Sequence, residues 1–135
     1  MATKGMNRIS VSVSNLGNSL AFYRDWIGME VIADETLEPN EIQQLWNLPP
    51  GTEARAVSLK SELQSTVMEL IEFSPHSGTI IREDTKSWDY GIYCITFLVR
   101  DIDKIYCDLT EKGFTGPLAA RMGKVKESMV KRERT

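Results

Sequence analysis

The sequence predicts an α+β fold in which one strand-cap-helix unit is used twice, and three observations carry that expectation. Apolar residues alternate strictly at Ile9, Val11 and Val13, the period-two signature of a half-buried strand. Asn15 then precedes a helical stripe of Leu16, Leu20, Tyr23 and Ile27, with Trp26 beside it and Gly28 at its end. Shifting the chain by 86 positions lays Val13 on Val99, Val11 on Phe97, Ile9 on Ile95 and Asn15 on Asp101. The second copy is thus a strand over 93–99 and a helix with Ile102, Ile105, Tyr106 and Leu109 on one face, stopping at Gly113. Chance likeness between two amphipathic units is the competing account, because capping and alternation are generic.

Each element has a local reason. The short polar side chains of Asn15 and Asp101 can accept a hydrogen bond from the first turn of the helix that follows. Gly28 and Gly113 stand where a helix commonly ends in a left-handed residue. Three more strands are expected over 29–33, 55–59 and 66–73, the last reading TVMELIEF and being the most apolar. An insert over 38–51 holds a short helix at 40–46, closed by Pro49, Pro50 and Gly51, residues that punctuate rather than continue regular structure. The first module is therefore β-α-β-β-β, spanning about 5–73. Residues 74–90, with Pro75 and Gly78, form a linker, and a second module occupies about 91–135.

Composition bounds what such a chain can do. One hundred and thirty-five residues, 41% of them apolar and 26% charged, suit a single domain with a real core and exclude disordered and collagenous classes. No apolar run approaches the roughly 18 residues that would span a bilayer, and MATKGMNRIS has no apolar segment behind its basic residues, so the reading is a cytoplasmic protein with no membrane partner. Cys94 and Cys107 sit outside any CxxC pattern and are read as reduced thiols. His76 is the only histidine, so this chain alone cannot supply a two-histidine metal site or an HExxH motif. Over 121–135 six basic residues face two acidic ones, a local charge of +4 in a chain of net −3. The run contains no aromatic residue on which a base could stack, so a solvated face is expected and no nucleic-acid partner.

The stretches VSVSNLGNSLAFYRDWIGMEVI, TVMELIEF and YGIYCITFLVRDID together resemble the vicinal oxygen chelate superfamily, which includes glyoxalase I, bleomycin-resistance proteins and extradiol dioxygenases. The resemblance covers about 7–116, and SLAFYRDWIGMEV is its most specific part. It implies paired βαβββ modules forming a half-open barrel around a cavity. Metal-binding members typically draw one ligand from the first strand of each module and a carboxylate from the last strand of each. Carried over residue by residue, the first position falls on Arg8, the retained carboxylate on Glu69 and the second module's first-strand position on Cys94. The position 86 residues beyond Glu69 lies past Thr135, so the second module is expected to be incomplete, one strand short. That expectation favours association, as a homodimer or with further chain, over an open sheet edge.

A guanidinium has no lone pair and stays protonated in proteins, so Arg8 cannot ligate a metal. A thiolate at Cys94 would suit zinc better than the oxygen-rich centres the resemblance implies. Glu69 lies among Val67, Met68, Leu70 and Ile71, where a carboxylate needs a partner, and Arg8 is the natural counter-ion. An ion pair is the favoured reading of Glu69, with a metal ligand and a surface carboxylate as alternatives. Ser10, Ser12 and Thr96 are expected to line the cavity floor, and Trp46 its mouth or a staple to the core. No catalytic residue is assigned. The expected function is small-molecule binding without a complete metal site and without a cofactor. The alternatives are a divalent-metal-dependent lyase, isomerase or ring-cleaving dioxygenase with ligands beyond residue 135 or on another chain, and a non-catalytic interaction module.

Overall fold

The computed structural model describes residues 3–63, 65–75, 77–81, 84, 86, 88–91 and 95–113. The chain divides into two compact units, Met1–Tyr93 and Cys94–Thr135. The first unit runs β1 (Arg8–Ser12), α1 (Leu16–Leu20), β2 (Glu30–Leu37), α2 (Pro39–Trp46), β3 (Glu53–Lys60) and β4 (Val67–Ser74). This is the β-α-β-β-β order read from the sequence, with α2 as the helix of the insert. The second unit contains α3 (Ile102–Glu111). No helix among the described residues is long and apolar enough to cross a membrane.

The four strands form an open sheet in the order β1-β4-β3-β2. β1 runs parallel to β4, whereas β3 is antiparallel to both β4 and β2. A parallel neighbour needs a crossover connection, and everything from α1 to β3 separates β1 from β4. Placed centrally, β4 is covered on both faces: Met68, Glu69, Leu70 and Ile71 are all buried. One face sets Leu70 against Val57 and Met68 against Leu59, and all four are buried. The other face packs Ala54, Ala56 and Ile71 against Ile42 of α2, with Leu37, Leu48 and Phe73 around them.

The first helix obeys its cap and departs from its expected winding. Asn15 Oδ1 accepts from the Asn18 backbone N–H at 2.8 Å, and Leu16 and Leu20 are buried. Beyond Leu20 the chain widens into a π-wound segment, Ala21–Trp26, in which Phe22 packs edge-on against Tyr23 and Trp26. Ile27 N–H donates to Phe22 C=O at 3.0 Å, Met29 N–H reaches back to Tyr23 C=O at 3.0 Å, and Gly28 carries φ +87°. That left-handed exit is the one Gly tolerates without a Cβ penalty.

In the second unit the same cap chemistry recurs. Asp101 Oδ1 accepts from the Lys104 backbone N–H at 3.0 Å, the counterpart of the Asn15 and Asn18 contact 86 positions earlier. Leu109 is the buried residue of α3, and Gly113 has φ +85°. The strand expected over 93–99 is not formed at 95–99, where no ladder joins these residues to any other described residue. Alternation marks a strand's faces, and only a hydrogen-bonded neighbour makes it a strand. Residues 93 and 94 lie outside the described residues, as does everything from 114 onward.

Candidate functional site

The site begins with the β1 and β4 register. Parallel pairing sets Arg8 opposite Val67, Ser10 opposite Glu69 and Ser12 opposite Ile71, and β3 places Ser58 on the far side of Glu69. Directly opposed residues share a sheet face, so Ser10, Glu69 and Ser58 form one polar row across three strands. Arg8 and Ser12 lie on that same face of β1, two residues either side of Ser10.

Both oxygens of Glu69 are engaged. Arg8 Nη1 donates to Oε2 in an ion pair, and Ser10 Oγ donates to Oε1 at 2.8 Å. The Glu69 side chain is 9% exposed and that of Arg8 is 48% exposed. The carboxylate is therefore held in the sheet while its counter-ion reaches solvent. Arg8 and Glu69 meet as the counter-ion argument expected, and Ser10 joins them because the register puts its hydroxyl beside the carboxylate.

Trp46 lies elsewhere on this face. Its ring packs edge-on against Phe73 with centroids 5.8 Å apart, and Phe73 is four residues along β4 from Glu69, roughly 13 Å at the usual strand rise. Trp46 thus staples α2 to β4 and touches neither Arg8 nor Glu69. Ser12 is exposed. Thr96 belongs to the second unit, where it is exposed. Cys94 and His76 lie outside the described residues. Cys107 is an exposed free thiol.

Glu72 escaped sequence reasoning. Its Oε2 accepts the Leu16 backbone N–H at 2.5 Å, supplying a negative charge and an acceptor to the start of α1. The signal was present in ELIEF: carboxylates three apart on a strand point to opposite faces, so Glu69 and Glu72 serve different ends. Two further carboxylate pairs among the described residues lie at the surface. Arg24 binds its neighbour Asp25. Arg55 grips Asp34 with Nε and Nη2 at 2.9 and 2.7 Å, and this hydrogen bonding holds the Asp34 carboxyl below its ordinary range. Burial pushes the Tyr23 phenol above its ordinary value.

A divalent cation of the kind the resemblance implies does not fit this donor set. Glu69 already shares its oxygens with a cation and a hydroxyl, and the guanidinium of Arg8 beside it has no lone pair available to a metal. Among the described residues no three His, Cys, Asp or Glu side chains converge as a metal-holding group.

A family model described as "Glyoxalase/Bleomycin resistance protein/Dioxygenase superfamily" matches residues 5–130. No curated protein matches the sequence. A glyoxalase family protein from Bacillus cereus is similar in structure at a TM-score of 0.71, with 21% identity over 84% of this chain and 76% of that one. The trypanothione-dependent glyoxalase I of Leishmania major is similar at a TM-score of 0.56, with 18% identity over 98% of this chain and 100% of that one. At these identities the two structures speak for the fold alone.

Proposed function

Because the chain belongs to the glyoxalase/bleomycin resistance protein/dioxygenase superfamily, we propose that it is a small-molecule-binding protein whose polar anchor is an arginine–glutamate pair. The observation that carries this reading is the full engagement of Glu69 by Arg8 and Ser10. A carboxylate so held is a fixed support, and the residue it supports is a half-exposed guanidinium with further N–H donors. Pockets for small molecules combine a mostly apolar lining with a few well-placed polar groups. Arg8, Ser10 and Ser12 supply such groups on one strand face. The reading includes a homodimer in the cytoplasm, and β1, at the edge of the sheet, pairs on one side only among the described residues.

Elemental analysis of the purified protein, followed by a thermal-shift screen of metabolites and aromatic compounds, tests the proposal. Substoichiometric metal together with a saturable rise in melting temperature is the expected result, since a ligand that binds only the folded state stabilises it. Stoichiometric iron, manganese, zinc or nickel that is lost in Glu69→Ala overturns it in favour of a metal-dependent enzyme. A metal-free protein that responds to nothing in a broad library overturns it in favour of an interaction module.

A further inference from the structure

Three arginine–carboxylate pairs among the described residues differ in how the guanidinium is used. Arg24 gives Nε and Nη2 to the two oxygens of Asp25, at 2.7 and 3.2 Å. Arg55 gives Nε and Nη2 to the two oxygens of Asp34. Arg8 gives only Nη1, to one oxygen of Glu69. Its Nε and Nη2 edge, the fork that matches two oxygens of one planar group, has no partner among the described residues. Glu69 cannot swing across to close that fork without releasing Ser10, which holds its other oxygen.

We infer that the open fork of Arg8 is a recognition site for an oxyanion on the bound small molecule, a carboxylate or a phosphate taken two oxygens at a time. This inference rests on the small-molecule-binding reading and names the ligand class. Three features support it. The side chain is 48% exposed, so a ligand can reach it. The buried end of the pair fixes the guanidinium, so less side-chain freedom is lost on binding. The exposed hydroxyl of Ser12 lies on the same face of β1, roughly 13 Å along the strand from Arg8, where it can donate to a more distant part of the ligand. Glu69 offsets the charge of Arg8, so selection comes from the shape of the fork more than from net attraction. A carboxylate offers that fork two acceptors, whereas a primary carboxamide on the same body offers one acceptor and a clashing N–H.

Calorimetric titration with matched sets of aromatic and aliphatic probes tests the assignment, each set comprising a carboxylate, its primary carboxamide and the corresponding phosphate monoester. Carboxylate or phosphate is expected to bind at least tenfold tighter than carboxamide, with the ratio between the two oxyanions telling planar from tetrahedral recognition. Arg8→Lys keeps the cation and removes the fork, and it is expected to erase the preference for carboxylate or phosphate over carboxamide. Equal affinity for carboxylate, phosphate and carboxamide in the unaltered protein overturns the oxyanion assignment and leaves small-molecule binding standing. No binding by any member of a broad panel removes the parent reading. The comparison in the unaltered protein needs no variant to fold.

Discussion

Removing the guanidinium from Arg8 while leaving Glu69 in place should destabilise the first unit, and the size of the effect follows from the exposure of the two partners. Breaking a fully buried pair costs about 3–5 kcal/mol, because the remaining charge is stranded, whereas breaking an exposed pair costs about 0–1 kcal/mol. Here Glu69 is 9% exposed and Arg8 48%, and Ser10 stays on one carboxylate oxygen. We therefore expect Arg8→Met to cost about 2 kcal/mol, by interpolation between those limits. With a urea slope of about 1–2 kcal/mol/M, the unfolding midpoint falls by about 1–2 M. Glu69→Gln keeps an acceptor for Ser10 and should cost about 1 kcal/mol, the worth of an ordinary hydrogen bond. The double variant should be more stable than the sum of the single effects by at least about 1 kcal/mol, since the stranded charge is gone. Urea unfolding of all four proteins measures this. An unchanged midpoint in Arg8→Met, or strict additivity, would refute the claim that the pair is a coupled, partly desolvated unit.

Glu72→Ala should cost about 1–2 kcal/mol by stripping a charge-assisted acceptor from the start of α1, with Glu72→Gln losing roughly half as much; equal midpoints for all three proteins would show that the contact contributes nothing. Asn15→Ala and Asp101→Ala each remove a cap bond and should each lower stability or helicity by about 1 kcal/mol, read by circular dichroism through urea unfolding. The raised Tyr23 phenol sets an alkaline limit: its stabilisation is fully present below the unfolded value near 10.0 and is lost as pH rises through the higher folded value. Tyr23→Phe should flatten the fall in unfolding midpoint above pH 10, and identical alkaline slopes in the two proteins would contradict the assignment.

The parts of the fold legible in the sequence are those set by neighbours along the chain. Alternation in 9–13 found β1, and the side-chain oxygens of Asn15 and Asp101 found both caps. The end of β2 was hidden for a physical reason. The strand reaches Leu37, past the 33 expected, because Asp34, Glu35 and Thr36 pair with Val57, Ala56 and Arg55 at a sheet edge where polar residues are tolerated. The widening at Ala21–Trp26 leaves no mark in the apolar stripe, since Leu20, Tyr23 and Ile27 fit ordinary helical spacing equally well. At the site, Arg8 and Glu69 could be paired by charge alone, whereas placing Ser10 on the second oxygen required the β1 and β4 register, a long-range property. Trp46 is readable from the sequence as mouth or staple, and its packing on Phe73 is a long-range contact that the sequence pattern does not show.

An arginine beside Glu69 changes the chemistry available to that carboxylate. A divalent ion offers open coordination positions and can polarise adjacent oxygens of a substrate. A guanidinium offers planar N–H donors that stay protonated at any working pH. It can orient an acceptor and complement a negative charge, but it has no coordination position to offer a substrate oxygen. Glu69 correspondingly shifts from a donor of lone pairs to a brace, and Ser10 prevents the brace from rotating. In the proposed reading, this strand geometry would present a ligand's oxygen to the outer edge of Arg8. Orienting and complementing an acceptor group is what these side chains support most directly, and the proposed binding function rests on that.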